Sequence, residues 1–322
     1  MSPCAADPRP GRARARAAIG GLVVTMSAQP STPSLRGLLG DYLALTKPRI
    51  LLLLLITGGC AMVVARGTLP PLAVLLPTLA GLALSCGGAN AINMWYDRDI
   101  DPIMARTRSR PIPAGRVRPE AALAFGLACQ TASLLLLGLL VNSLAAGLSL
   151  AGFVYYVFIY TMWLKRRTPQ NIVIGGGAGA FPPLVGWAAV TGAVGIAAVL
   201  MFLIIFMWTP PHFWSLALYK DEDYRRAGIP MMPVARGWQT TKWQSLLYSV
   251  LLLGASLLLY FTGVVGALYL YVALVLGLVF IAYSLVLLRE PAPEVKWAKR
   301  TFRFSLLYLT ALFVVMVVNV RH

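Results

Sequence analysis

From Ile50 to the C-terminal end, apolar residues run in blocks of about twenty, separated by short polar stretches. Within a block, no alternation of period two and no narrow apolar stripe stands out. Each block is apolar all round and long enough to cross a hydrocarbon core of about 30 Å as a helix. The pattern predicts nine spans, at residues 50–66, 72–95, 120–141, 144–164, 171–190, 194–218, 243–262, 264–288 and 301–319. The expected fold class is therefore all-α, a polytopic membrane bundle over residues 41–322 behind a tail at 1–40. The two-residue turn Asn142-Ser143 makes spans three and four an antiparallel hairpin.

Composition agrees with this pattern. Of 322 residues, 58% are hydrophobic and 12% charged, with mean hydropathy +0.74. Soluble chains carry about 25% charged residues. The net charge of +17 would by itself point to nucleic acid, but 26 of the 28 Lys/Arg fall on one side: before span one, in the loops after spans two, four, six and eight, and at the start of span nine. Only Arg66 and Arg321 fall on the other side. That asymmetry is a topology signal. It predicts a cytoplasmic N-terminus and an outer C-terminus in the cell membrane, lipid contact as a secondary role, and no nucleic-acid partner.

Residues 1–40 are rich in Arg, Ala and Pro and without periodicity, so a disordered cytoplasmic tail is expected, with Met26 an alternative start. Asp41 to Ile50 brings the chain to the membrane as an interfacial segment. Cys4, Cys60, Cys86 and Cys129 show no metal or disulfide spacing and read as small apolar residues.

The end of span two changes the picture. Asn90 to Arg118 reads NAINMWYDRDIDPIMARTRSRPIPAGRVR. At about 100° per residue, Asn93, Asp97 and Asp101 lie along one helical face and Asp99 points away. Pro102 disfavours helix at Asp101, which puts the third group on a turn. Two carboxylates and an amide offer the hard oxygens that Mg²⁺ takes, and Arg106 and Arg110 follow with donors suited to phosphate. A Mg²⁺-diphosphate site is one reading. A polar helix end emerging into water is the other.

Span six ends in a second cluster on the same side, Lys220, Asp221, Glu222, Asp223, Arg225 and Arg226. Spans two and six thus end alike, four spans apart, as duplicated four-helix units would. Coincident clusters favour the metal-diphosphate reading. Pro210-Pro211 precedes His212, the only histidine in a span, which reads either as a satisfied buried hydrogen-bonding group or as a haem or proton ligand. Span four is aromatic from Phe153 to Trp163 and ends at Lys165. In span five, Gly175 and Gly179 read as a close-packing pair, and Pro182-Pro183 as a kink or break.

The NxxxDxxxD pattern of Asn93, Asp97 and Asp101 resembles the first aspartate motif of the intramembrane UbiA-type prenyltransferases. Within that superfamily, DYLALTKPRI, NMWYDRDIDPIMARTRSRPIPAGR, LKRRTPQNIVIGGGAGAFPPLVGWAAVTG and WTPPHFWSLALYKDEDYRRAGIPMMPV resemble the haem O synthases, over about residues 41–319. The resemblance implies a UbiA-like bundle with a cytoplasm-facing active site that joins farnesyl diphosphate to haem B. Mg²⁺ would sit on Asp97 and Asp101 with Asn93 assisting. Arg106, Arg110, Lys165 and Arg225 would hold diphosphate, aromatic faces such as Tyr156 or Tyr160 would steady the allylic cation, and His212 would meet haem. A haem A synthase would accept the product.

One departure stands out. The superfamily's second motif commonly spaces aspartates DxxxD, whereas Lys220 and Tyr224 occupy those outer positions here, leaving Asp221, Glu222 and Asp223 as the acids. A prenyltransferase for another acceptor, such as a quinone precursor, would carry the fuller motif. A transporter would place charges near the bilayer midplane, and here the acids crowd one face.

Overall fold

A bilayer offers backbone amides and carbonyls no partners but one another, so each apolar block closes its hydrogen bonds as a helix. The computed structural model describes residues 34–321; the first 33 residues of the tail expected at 1–40, the alternative start at Met26 and the terminal His322 lie outside them. Among the described residues there is no β-strand beyond one isolated bridge, Val265 to Val320, and nine helical segments are long and apolar enough to span a membrane.

The order begins with α1 (Leu35–Leu45), a short helix whose Leu35, Leu39 and Leu43 form an exposed stripe at i, i+4, i+8. It takes residues 35–40 out of the expected tail. Next come α2 (Pro48–Arg66), α3 (Leu72–Tyr96) and α4 (Pro119–Leu140). Helix α5 (Ser143–Val154) continues as a π-helical segment, Tyr155–Leu164. Asn142 caps α5 by accepting from the Ala145 amide at 2.8 Å, and its amide nitrogen donates to the Ala188 carbonyl at 2.9 Å.

Span five is composite: α6 (Asn171–Gly175), a 3₁₀ turn (Gly176–Ala180) and α7 (Phe181–Thr191). Pro182 and Pro183 sit in the first turn of α7, where their missing N–H groups break no bond, and the 3₁₀ turn before them takes up the expected kink. Then follow α8 (Ile196–Tyr219), α9 (Asp221–Arg226), α10 (Met232–Arg236), α11 (Trp238–Leu258), α12 (Ala267–Arg289) and α13 (Lys296–Val318). Helices α11 and α13 start five residues before the apolar blocks that predicted them, extending the spans into the polar layer.

Sequential spans pack as neighbours: α2 on α3, α3 on α4, α4 on α5, then again α7 on α8, α8 on α11, α11 on α12. The two series repeat one pattern, and each holds its long polar loop at the same place, 97–118 and 220–237. Helix α13, the extra one, packs on α2, α8 and α12.

Small residues set the closest approaches, as helices in lipid require. On α3 and α4, a Cβ on Gly88 would lie 2.6 Å from the Gly126 carbonyl oxygen, and one on Gly126 would lie 2.8 Å from that of Gly88. The expected pairing of Gly175 with Gly179 is corrected. Gly175 meets the Tyr160 ring and Gly176 meets Thr209, while Gly179 has open space around it, because the 3₁₀ turn presents successive glycines to different neighbours. The scaffold helices are joined by hydroxyls, Ser249 to Ser284 at 2.9 Å and Ser256 to Tyr308 at 2.8 Å.

Gly126→Val should lower stability by roughly 1–3 kcal/mol, as overpacking does. Gly138→Val, with no atom within 4 Å of its added Cβ, should be nearly neutral. Thermal unfolding of both purified variants in detergent checks the contrast.

Candidate active site

The site is built where α3 runs out. Asp97 caps α3, and the i→i+4 backbone bonds continue past it, Asp97 N to Asn93 O at 3.0 Å and Asp101 N to Asp97 O at 2.9 Å. Asn93, Asp97 and Asp101 therefore share one face, with Asp101 on the turn before Pro102 as expected. Asp97 is 0% exposed and Asp101 1%. Asp99 points away, with a side chain 59% exposed and held by Arg166 through two bonds of 2.7 Å. That pairing draws the Asp99 carboxyl below the usual aspartate range, against the effect of its partial burial, and raises the Arg166 guanidinium.

Buried carboxylates need partners. Lys165, which follows the π-helical segment, ion-pairs with Asp97 Oδ2. The segment's wider turn, closed by Lys165 N to Tyr160 O at 2.9 Å, carries Lys165 to that position. Arg110 donates to both oxygens of Asp101, at 2.8 and 2.9 Å. The Asn93 amide donates to Asp97 Oδ2 at 2.9 Å and to Thr161 Oγ1 at 3.2 Å.

Sequence reasoning missed Lys47. Its Nζ donates to Asn93 Oδ1 at 2.9 Å and reaches Tyr156 Oη at 3.5 Å. Lys47 is the only non-glycine residue with positive φ among the described residues, at φ 55° and ψ 64°, directly before Pro48. Left-handed backbone costs such a residue about 1–2 kcal/mol, and the cluster of contacts holds it there. Burial, then the nearby Arg110 and Lys165 charges, puts the Lys47 ammonium well below the ordinary lysine value, and Arg106 adds to the same effect. Burial likewise lowers Lys165, against the pull of Asp97. The TKPR run carries the one sequence signal for Lys47, a lysine fixed beside a proline where the chain enters the membrane.

Asp97 Oδ1 is buried without a hydrogen-bond partner, and Arg166 Nη2 lies 3.5 Å from it. Lys47, Lys165 and Arg110 outnumber the two carboxylates that they surround, and no group of three acids, His or Cys among the described residues could hold a metal without outside ligands. Such a site suits an anion that brings its own oxygens. The Tyr156 and Tyr160 rings lie beside it, 5.4 Å apart and tilted by 34°.

The other expected residues fall elsewhere. Arg225 pairs with Asp221 one turn away, with 55% of its side chain exposed. Asp223 and Glu222 are taken by Arg226. No ion pair among the described residues joins this second cluster to the first; their loops meet through apolar packing of Ile100 and Met104 with Tyr224, Ile229, Met231 and Met232. His212 faces α13. Its ring lies between Trp208 at 4.2 Å and Phe302 at 4.7 Å, and its Nδ1 bonds Ser305 Oγ at 2.6 Å. That is the geometry of a satisfied buried histidine.

The model of the UbiA prenyltransferase family matches residues 52–307. A protoheme IX farnesyltransferase from Symbiobacterium thermophilum is 62% identical over 280 residues, 87% of this chain and 94% of the relative. One of the same name from Acidiphilium cryptum is 50% identical, covering 87% and 90%. Among solved structures, a UbiA homologue from Archaeoglobus fulgidus bound to GPP and Mg²⁺ superposes with a TM-score of 0.60 at 18% identity, covering 86% of this chain and 99% of that one. A structure concerning digeranylgeranylglyceryl phosphate synthase in membranes gives 0.73 at 21%, covering 88% and 98%. These two likenesses are of fold.

Removing Lys165 strands a fully buried carboxylate. Lys165→Ala should destabilise by about 3 kcal/mol, and adding Asp97→Ala should restore part of that loss. A double-mutant cycle of detergent unfolding measures it; purely additive effects would deny the pair.

Proposed function

Since this chain belongs to the UbiA prenyltransferase family, we propose that it transfers the farnesyl group of farnesyl diphosphate to a vinyl group of haem B, with addition of water, giving haem O and diphosphate. One observation carries the diphosphate half: a buried carboxylate, Asp97, keeps an oxygen free of hydrogen bonds, with only the Arg166 ion pair at 3.5 Å, in a cluster that also holds the Lys47, Lys165 and Arg110 cations. The acceptor is supported by the relatives' shared name, at identities of 62% and 50%.

Asp97 and Asp101, with Asn93 assisting, would hold Mg²⁺, whose remaining ligands would be substrate oxygens. Bound there, the ion would neutralise charge on the departing diphosphate. Arg110 would turn from Asp101 to the phosphate, and Lys47, Lys165 and Arg106 would take up the same charge. As the C1–O bond of farnesyl diphosphate breaks, the Tyr156 and Tyr160 faces would steady the allylic cation. The terminal carbon of the vinyl group bonds to C1, water captures the cation left on the porphyrin side, and one proton is released. The apolar loop packing around Met104 and Tyr224 would keep bulk water from the cation until then. Asp221, Glu222, Asp223 and Arg225 serve as a locally paired rim in this reading, and His212 as a packing residue against α13. Product would pass to a haem A synthase.

The protein is a multi-pass membrane protein. We assign its loops 97–118, 165–170, 220–237 and 290–295 to the cytoplasmic side of the cell membrane, on the charge asymmetry. A reporter fused after Lys165 should then read inside and one after Arg321 outside; the opposite result for either would invert the catalytic face.

Membranes expressing the chain should yield haem O on pigment extraction and chromatography. Asp97→Ala and Asp101→Ala should each lower turnover by at least about a hundredfold, about 2.7 kcal/mol or more of transition-state stabilisation, while the protein still inserts. Near-normal haem O in both variants would remove the diphosphate assignment. His212→Ala should lose stability and leave the absorption spectrum of bound haem B unchanged; a shifted spectrum would make His212 a haem ligand.

A further inference from the structure

On the face where α12 and α13 meet, away from the aspartate cluster, lies a groove of about 320 Å³ lined by Tyr283, Arg300, Arg303, Phe304 and Leu307. Its aromatic floor is ordered. Tyr283 stacks on Phe304 at 4.8 Å and 16°, and meets Trp297 edge-on at 5.7 Å. Arg300 lies over the Trp297 ring at 4.7 Å. Arg300, Arg303, Phe304 and Leu307 follow one another at i, i+3, i+4, i+7, which is one stripe of α13.

The charge on this stripe is unmatched. Neither α12 nor α13 contains an Asp or Glu. Neither Arg300 nor Arg303 forms an ion pair among the described residues. The nearest acid in sequence, Glu294, forms no ion pair with either arginine among the described residues, and Glu290 is spent on capping α13 through the Trp297 and Ala298 amides, at 2.7 and 3.3 Å. Arg303 is also the last charged residue of α13, so the groove straddles the level where charged chain gives way to apolar chain. Below it, Leu307 is 60% exposed, facing the bilayer.

Two unpaired guanidiniums above an aromatic floor and an apolar exit have the chemistry of a phospholipid site. The phosphate meets the arginine forks, and an acyl chain runs down past Leu307. We infer that this groove binds one anionic phospholipid, such as phosphatidylglycerol, at the cytoplasmic-side interface and so tethers α13 to α12. The haem propionates are the competing anions. The main packing partners of α12 and α13 are α11, α8, α2 and each other, rather than α3 or the π-helical segment, where the reaction groups lie, and this favours the lipid.

The test uses the full chain, purified in detergent and titrated with phosphatidylglycerol or phosphatidylcholine, with native mass spectrometry counting retained lipid. One phosphatidylglycerol should be retained with roughly tenfold preference. Arg300→Ala with Arg303→Ala should bring the preference to parity, whereas Lys296→Ala with Lys299→Ala, outside the groove, should leave it intact. Leu307→Trp keeps both charges and should still weaken retention by obstructing the acyl chain. Haem O formation should persist in all three variants. Wild-type preference in the arginine variant would overturn the site. So would equal loss in the lysine variant, a diffuse basic collar, or displacement of the lipid by inorganic phosphate or haem B.

Discussion

A carboxylate with no solvent exposure at the end of a 25-residue apolar helix is the constraint on which the rest depends. An ion taken out of water loses several kcal/mol of solvation, so Asp97 is tenable only inside a shell of donors that the fold delivers from distant parts of the chain. Lys165 comes from the end of the π-helical segment and Asn93 from one turn back on α3; Lys47, from the entry to α2, donates to that Asn93 amide, which in turn donates to Thr161, and Arg110 secures the neighbouring Asp101. Each has its own demand. Lys47 adopts a left-handed backbone, and α3 and α4 approach through Gly88 and Gly126 so that the loop returns over its own helix. Stability of the site is thus an electrostatic problem, solved with an excess of cations.

The apolar blocks made the spans legible, because in a bilayer hydropathy and backbone satisfaction point to the same answer. The stripe of Asn93, Asp97 and Asp101 was legible because helical spacing survives one turn beyond α3. Lys47 was not, since nothing in local periodicity tells that a lysine before a proline bends back toward a residue 46 positions away. The second acidic cluster looked like a partner for the first because composition repeats. Its i, i+3 and i, i+4 spacing instead pairs its acids with arginines of α9, leaving only Asp221 Oδ1 buried without a hydrogen bond, and the two loops meet through methionine, isoleucine and tyrosine. His212 drew attention as the only histidine in a span, but which way a side chain turns on a helix apolar all round is decided by its neighbours, here Trp208, Phe302 and Ser305.

The two halves of the bundle carry different work. The helices before residue 192 hold the aspartate cluster and the π-helical segment beside it. Those after it keep their charges near their ends, in α9 and the start of α13, and join helix to helix deeper in the bundle through hydroxyl pairs. The repeat in neighbour order shows how similar units can diverge: the loops keep their positions while the chemistry concentrates in one.

The stretch Tyr155–Leu164 has a consequence for how the chain tolerates change in length. Ten residues wound with i→i+5 bonds hold one more residue per turn than ordinary helix would need, so the segment stores a phase offset between α5 above it and Lys165 below. Deleting any single residue there would leave hydropathy, span length and hydrogen bonding nearly untouched. It would also change the winding between α5 and Lys165, and with it the angle at which Lys165 meets Asp97. In this span, reading frame and angular phase are one variable, and a gap of one residue that looks silent in a hydropathy profile rewrites the electrostatics at the other end.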